Sequence, residues 1–162
     1  MRRDPLSRRR RSELMARIRG RGNRSTELAL AALLRRHRVT GWRRHAALFG
    51  RPDFVFARER LAVFVDGEFW HGHPKRGRLP GTNRAYWRAK IARNRARDRL
   101  VNRALRRQGW RVLRIWEHRL APALASKTIE KLRSALKKPG LTRPRARGSA
   151  RPSGRGGRRF KR

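Results

Sequence analysis

Residues 61–65, Leu-Ala-Val-Phe-Val, form an uninterrupted apolar run with β-branched and aromatic members, closed by Arg60 on one side and by Asp66-Gly67 on the other. The run is short for a helix, and it lacks the polar alternation that would give a strand a wet face. It reads as a buried central strand, and such a strand needs other elements over both faces of its sheet. The flanking sequence supplies them. Ser25 or Thr26 starts a helix to about His37, with Leu30, Leu33 and Leu34 on its apolar face and Glu27 in the first turn, where a carboxylate suits the helix dipole. Trp42 to Phe49 and Asp53 to Phe56 read as short strands around a Gly50-Arg51-Pro52 turn. Residues 68–84 have no period and carry Gly72, Pro74, Gly77, Pro80 and Gly81, so they form a long loop of the kind that is usually functional or disordered. A long helix from about Arg84 to Gln108 puts Trp87, Ile91, Val101, Ala104 and Leu105 inward, and Gly109 caps it. Trp110 to Trp116 alternates as a half-buried strand, and Thr128 to Leu136 closes the domain as a helix.

Charge bounds the partner. The 162 residues hold 48 Lys and Arg against 10 Asp and Glu, a formal net charge of +38. Self-repulsion on that scale asks for a polyanion, so nucleic acid leads and an anionic membrane surface comes second. No apolar run is long enough to cross a membrane, and no apolar segment of secretory type follows the N-terminal arginines, so a soluble, cytoplasmic, nucleoid-associated monomer is expected. Residues 1–11 read as a disordered basic arm and 139–162 as a disordered basic tail around one domain at 12–138. In the first part of that domain Ser12 caps a short helix to Arg19, with Leu14, Met15 and Ile18 on one side. There is no cysteine, so any metal must be held by oxygen and imidazole.

Acids are scarce enough that their positions matter. Asp53 opens one strand and Asp66 closes the next, so an antiparallel hairpin brings the two carboxylates to one end of the sheet. Such a pair suits Mg²⁺, and the plainer alternative is that each acid pairs with a nearby arginine. His71, just past the strand end, is placed to move a proton at neutral pH; His73 and His118 could ligate a metal with Glu68, or do nothing. Phe69, Trp70, Tyr86 and Trp87 stand at the two ends of the long loop, where aromatics either stack on bases or pack as core. Asp98 lies among Arg93, Arg95, Arg97 and Arg99, and a surface ion pair would explain it.

Taken together, Gly50-Arg-Pro-Asp-Phe-Val55, Val63-Phe-Val-Asp-Gly-Glu-Phe-Trp-His71, Trp87 with Lys90-Ile91, Asn94-Arg-Ala-Arg-Asp-Arg99 and Gly109-Trp-Arg-Val-Leu-Arg-Ile-Trp-Glu117 resemble the very short patch repair (Vsr-type) DNA mismatch endonucleases. Ser12-Glu-Leu-Met15 and Thr26-Glu27-Leu28 fit as well, so the likeness runs collinearly over residues 12–120. It implies a restriction-endonuclease-like fold, a central mixed β-sheet flanked by helices, and Mg²⁺-dependent nicking of double-stranded DNA 5′ of the thymine in a T:G mismatch left by 5-methylcytosine deamination. By the same resemblance Asp53 is the Mg²⁺ ligand with Asp66 beside it, His71 the base, Asp98 its support and Glu27 the helix glutamate near the site. Phe69, Trp70 and Trp87 match the mismatch wedge, and Met15 and Arg19 the DNA-binding arm. Where the family holds zinc with cysteines, this chain has Glu68, Lys75 or a neighbour, and His118, leaving Glu68, His73 and His118 as a degenerate Zn²⁺ set; Glu68 could alternatively join the Mg²⁺ site. Two other functions compete: a non-catalytic basic nucleic-acid-binding protein on a decayed nuclease scaffold, and a nuclease of other specificity.

Overall fold

The computed structural model describes residues 24–138. The expected basic arm, the short helix expected to carry Met15 and Arg19, and the expected basic tail from Pro139 lie outside the described residues. The chain enters through a π-helical turn at Arg24–Leu28 that runs into α1 (Ala29–Arg36). Strands β1 (Trp42–Arg44), β2 (Phe54–Phe56) and β3 (Leu61–Asp66) follow. After them come α2 (Arg84–Arg107), β4 (Arg111–Trp116), a 3₁₀ turn at Glu117–Leu120 and α3 (Pro122–Lys137).

The sheet order is β1-β2-β3-β4. The first three strands form an antiparallel meander, with Phe54 opposite Val63 and Phe56 opposite Leu61. β4 lies parallel to β3, Phe64 opposite Arg114 and Asp66 opposite Trp116, after a crossover through α2. The sheet is therefore mixed, and β3 is central, as its apolar run requires.

Alternation along the strands assigns the two faces. Leu61, Val63 and Ile115, with Phe54 and Phe56, pack under α1 (Leu30, Leu33, Leu34) and α3 (Ala125, Ile129, Leu132) in the main core. On the opposite face Ala62 and Phe64 meet Val101 and Leu105 of α2, with Leu48, Trp110 and Val112 at the edge. Because Asp66 falls on the same side as Ala62 and Phe64 by the two-residue period, it faces α2. That face carries the polar cluster described below.

Terminal chemistry fixes α2. Gly109 (φ +79°) follows its last turn, Gly109 N–H donates to Arg106 O and Trp110 N–H to Leu105 O at 2.9 Å each, the paired bonds of a Schellman cap. The Arg60 guanidinium adds hydrogen bonds to the carbonyls of Gln108 and Gly109, tying the β2–β3 turn to the helix end.

Two expected boundaries change. The strand expected over Trp42 to Phe49 stops at Arg44, because His45 takes a left-handed backbone (φ +55°) and the chain turns so that Leu48 packs beside α2. The last helix begins at Pro122, six residues before Thr128, since a proline at the first helical position costs no hydrogen bond and presets φ. Leu136 lies within it, as expected.

Gly50 couples the turn before Asp53 to α2. Its φ is +80°, and a Cβ there would lie 2.3 Å from Val101 Cγ1. Gly50→Ala should lose about 2–4 kcal/mol in urea unfolding, the left-handed backbone and the overpacking each contributing about 1–2. Gly41 has a similar φ of +83° but open space around it, so Gly41→Ala should lose only about 1 kcal/mol. Equal losses at the two glycines would show that Gly50 does not seat against Val101.

Candidate active site

The end of the β2–β3 hairpin, the start of the long loop and the middle of α2 surround a cavity of about 310 Å³. Asp53, Asp66, His71, Asn94, Arg97, Asp98 and Arg114 reach into it from four separate elements. A second cavity of about 320 Å³ shares Asp53 and is lined by Glu27, His45 and Arg51. Asp53 is thus the wall between them.

Asp53 is placed by the hairpin itself. Its Oδ2 accepts the Val65 backbone N–H at 2.7 Å, so the side chain crosses to the partner strand and is locked one residue before Asp66. Burial pushes the Asp53 carboxyl up to about 6; the Val65 N–H opposes this, while the charges of Glu27 and Asp66 add to it. Asp66 is 5% exposed, and burial raises its pKa against the pull of the Arg114 guanidinium and, after it, of the neighbouring His71. Two desolvated carboxylates on one cavity are oxygen donors of the kind that suits a hard cation.

His71 comes off the loop with its Nδ1 2.7 Å from Asp98 Oδ2 on α2 and 3.8 Å from Asp66 Oδ1. A carboxylate oxygen accepts, so in the neutral ring Nδ1 carries the proton and Nε2 keeps the lone pair. Asp98 does not settle into the surface arginines of its own helix. It takes His71 on one oxygen and Arg114 Nη2, at 3.0 Å, on the other.

Sequence reasoning missed Arg114. Its Nη1 donates to Asp66 Oδ1 at 2.7 Å, its Nε to Asn102 Oδ1 at 3.2 Å, and the guanidinium lies 4.6 Å over the Phe64 ring. The available signal was a basic residue among the apolar positions of Trp110 to Trp116, two positions before Trp116. Asn94 was missed likewise: its Nδ2 donates to the Trp70 carbonyl at 2.9 Å, pinning the loop to α2.

Glu27 is buried beside the site but is held by Arg44 Nη2 at 2.5 Å, across the sheet edge. Glu68, His73 and His118 gather on the other side of the loop. Glu68 Oε1 accepts from both the backbone N–H (2.8 Å) and Nδ1 (2.7 Å) of His118; burial pushes the Glu68 carboxyl up, but these bonds outweigh it and leave it below the ordinary range. His73 Nδ1 accepts the N–H groups of Lys75 and Arg76, and its ring packs edge-on against Trp116 and His118. Among the described residues no three His, Asp or Glu side chains are arranged to hold a metal together. Glu68, His73 and His118 thus lie in one cluster, with Glu68 turned toward His118.

The four aromatics at the loop ends meet. Phe69 lies 5.1 Å from both Trp70 and Trp87, ring centre to ring centre, and Tyr86, half exposed, lies 5.1 Å from Trp87. Trp87 is half-buried in this cluster and does not join either core. Lys90 Nζ sits about 6 Å from the Trp70 and Tyr86 rings, so a cation borders the aromatic surface.

A family model described as DNA mismatch endonuclease Vsr matches residues 3–76. The chain is 43% identical to the type II nicking enzyme V.XorIIP of Xanthomonas oryzae pv. oryzae over 122 residues, 73% of this chain and 87% of that protein. It is 56% identical to the type II nicking enzyme V.NaeI of Lentzea aerocolonigenes over 68 residues, 42% of this chain and 41% of that protein. It is 40% identical to the DNA mismatch endonuclease Vsr of Escherichia coli over 92 residues, 56% of this chain and 59% of that protein. The matched stretches thus span about half the length of the last two relatives and most of the first.

Proposed function

From the premise that the chain belongs to the Vsr family, we propose that it is an Mg²⁺-dependent DNA endonuclease that nicks one strand 5′ of the thymine in a T:G mismatch. The observation that supports this best is the convergence of Asp53, Asp66 and an Asp98-held His71 on one cavity. Oxygen donors, a buried site and two mutually repelling carboxylates fit Mg²⁺, which keeps several waters and needs only one or two carboxylates from the protein. Asp53 would hold it, with Asp66 beside it through the oxygen that Arg114 does not take. When bound, the ion would stabilise the negative charge that develops on the scissile phosphate.

The chain's own residues supply the rest. His71 Nε2, with Nδ1 fixed on Asp98, is free to take the proton of an attacking water, so the nucleophile forms at neutral pH without hydroxide from bulk. The Val65 N–H holds Asp53 in one rotamer, which preserves the cavity shape through the reaction. Phe69, Trp70 and Trp87 form the wedge: a T:G pair is easier to unstack than a matched pair, and aromatic faces recover stacking that the opened step loses. The Glu68–His118 bond closes the loop that carries both His71 and the wedge.

Incubation with a strand-labelled T:G duplex and Mg²⁺ should give one nick on the thymine strand, lost on chelation. A:C and fully paired duplexes should be cut at least about 10-fold more slowly, the value of one stacked aromatic. Equal cutting of paired DNA at a fixed sequence would replace mismatch recognition with the sequence-directed nicking suggested by the names of the nicking relatives. Metal-independent binding without cleavage would leave a DNA-binding protein on a nuclease scaffold.

A further inference from the structure

Three carboxylates, Asp53, Asp66 and Asp98, and one imidazole share a single cavity, and the only guanidinium bonded to any of those acids in the described residues is that of Arg114. We propose that Arg114 is a positioning residue of the nicking reaction, a two-pronged clamp that holds Asp98, and through it the His71 ring, while taking up one oxygen of Asp66. The proposal rests on the nicking reading for its kinetic consequence and on the geometry alone for the clamp.

The geometry is specific to a guanidinium. Nη1 meets Asp66 Oδ1 at 2.7 Å and Nη2 meets Asp98 Oδ1 at 3.0 Å, so one planar group spans two acids that come from a strand end and from a helix. Nε is fixed by Asn102 and the plane lies on Phe64, so the fork is held on its third donor and on one face as well. Asp98 has His71 on its other oxygen. Without Arg114, Asp66 and Asp98 would both confront His71 as unbalanced anions, and the imidazole could swing between Asp98 at 2.7 Å and Asp66 at 3.8 Å. The clamp removes that choice. It also explains how an acid can stand at position 66 beside Asp53: the charge is shared with Arg114 before any metal arrives.

The site offers a reference within the same molecule. His118 Nδ1 is bonded to Glu68 and touches none of the clamp, so its side-chain N–H reports the fold while that of His71 reports the clamp. In the full chain, without metal, histidine ¹⁵N–¹H spectra should show both Nδ1–H signals. Arg114→Met keeps the stem over Phe64 and should broaden or remove the His71 signal while leaving that of His118. On a T:G duplex the same variant should lose about 100-fold in kcat with KM within about threefold, since a positioned base supplies about that much and the fork is directed at acids, not at DNA. Arg114→Lys restores charge but not the fork, and should recover no more than about a tenth of wild-type kcat. If Arg114→Met loses both signals, Arg114→Lys decides, its His71 signal being weakened and its His118 signal kept. An intact His71 signal with kcat within threefold of wild type in either folded variant overturns the clamp. Absence of nicking by wild type overturns the nicking reading and with it the kinetic role, and an unperturbed His71 signal then removes the clamp too.

Discussion

Asp53→Asn should abolish nicking, by at least about 10³-fold, and at the same time make the metal-free protein more stable at neutral pH. The two effects have one cause. Asp53 is raised from its ordinary 3.8 to about 6 because folding strips water from it and sets it near Glu27 and Asp66. The folded state therefore binds the Asp53 proton more tightly than the unfolded chain does. Between these values the folded protein holds more protons, so this acid's contribution to stability falls as pH rises. The penalty is absent below about 4 and complete above about 6. A rise from 3.8 to about 6 is worth roughly 3 kcal/mol at about 1.4 per tenfold, and water reaching a half-buried carboxylate reduces that to about 1–2 kcal/mol. Asparagine keeps an oxygen for the Val65 N–H and carries no charge, so it escapes the penalty. In chelator, urea unfolding of Asp53→Asn and wild type should nearly coincide near pH 4 and separate in favour of the variant by about 1–2 kcal/mol near pH 7.5. A variant less stable than wild type at the higher pH, or one that still nicks, would show that Asp53 is held for structure and not for the reaction.

The same residue marks how far the sequence could be read. The apolar run at 61–65 did determine a central strand, and the pairing of Asp53 with the end of that strand followed from strand order and period alone. His71 with Asp98 was reachable only through resemblance, because a pairing between a loop and a helix 27 residues away leaves no periodic trace. Arg114 was hidden for a different reason. In a chain with 48 basic residues one more arginine carries no signal, and only the parallel register that sets it beside Phe64, facing α2, makes it part of the site. The false strand at 45–49 has the converse explanation. Its apolar residues are real, but they are used by a turn that seats Leu48 against α2, and a left-handed backbone is too uncommon even for histidine for His45 to announce it. For Glu68 and His118 the sequence offered metal-ligand chemistry, and the fold brings the two within hydrogen-bond distance of each other.

His71→Ala should lower nicking by about 10²–10⁴-fold while leaving the affinity for a T:G duplex, measured with Ca²⁺ in place of Mg²⁺, within about threefold. The asymmetry follows from where the ring is held. Asp98 takes Nδ1, so the nitrogen that works on water is Nε2, and the ring is neither part of the aromatic cluster nor one of the loop's closing bonds. Removing it deletes the proton acceptor and opens space in the cavity without touching Asp53 or the Phe69, Trp70 and Trp87 wedge. That space makes a second test available: free imidazole at tens of millimolar should restore part of the lost rate to His71→Ala and none to Asp53→Asn, because only the first variant lacks a base and keeps its carboxylates. Asp98→Asn should fall between wild type and His71→Ala, since an amide can offer an N–H where the ring needs an acceptor and so favours the wrong tautomer. Retention of wild-type nicking by His71→Ala would move the proton acceptor elsewhere in the cavity, whereas a loss matched by an equal loss of DNA affinity would make His71 a binding group.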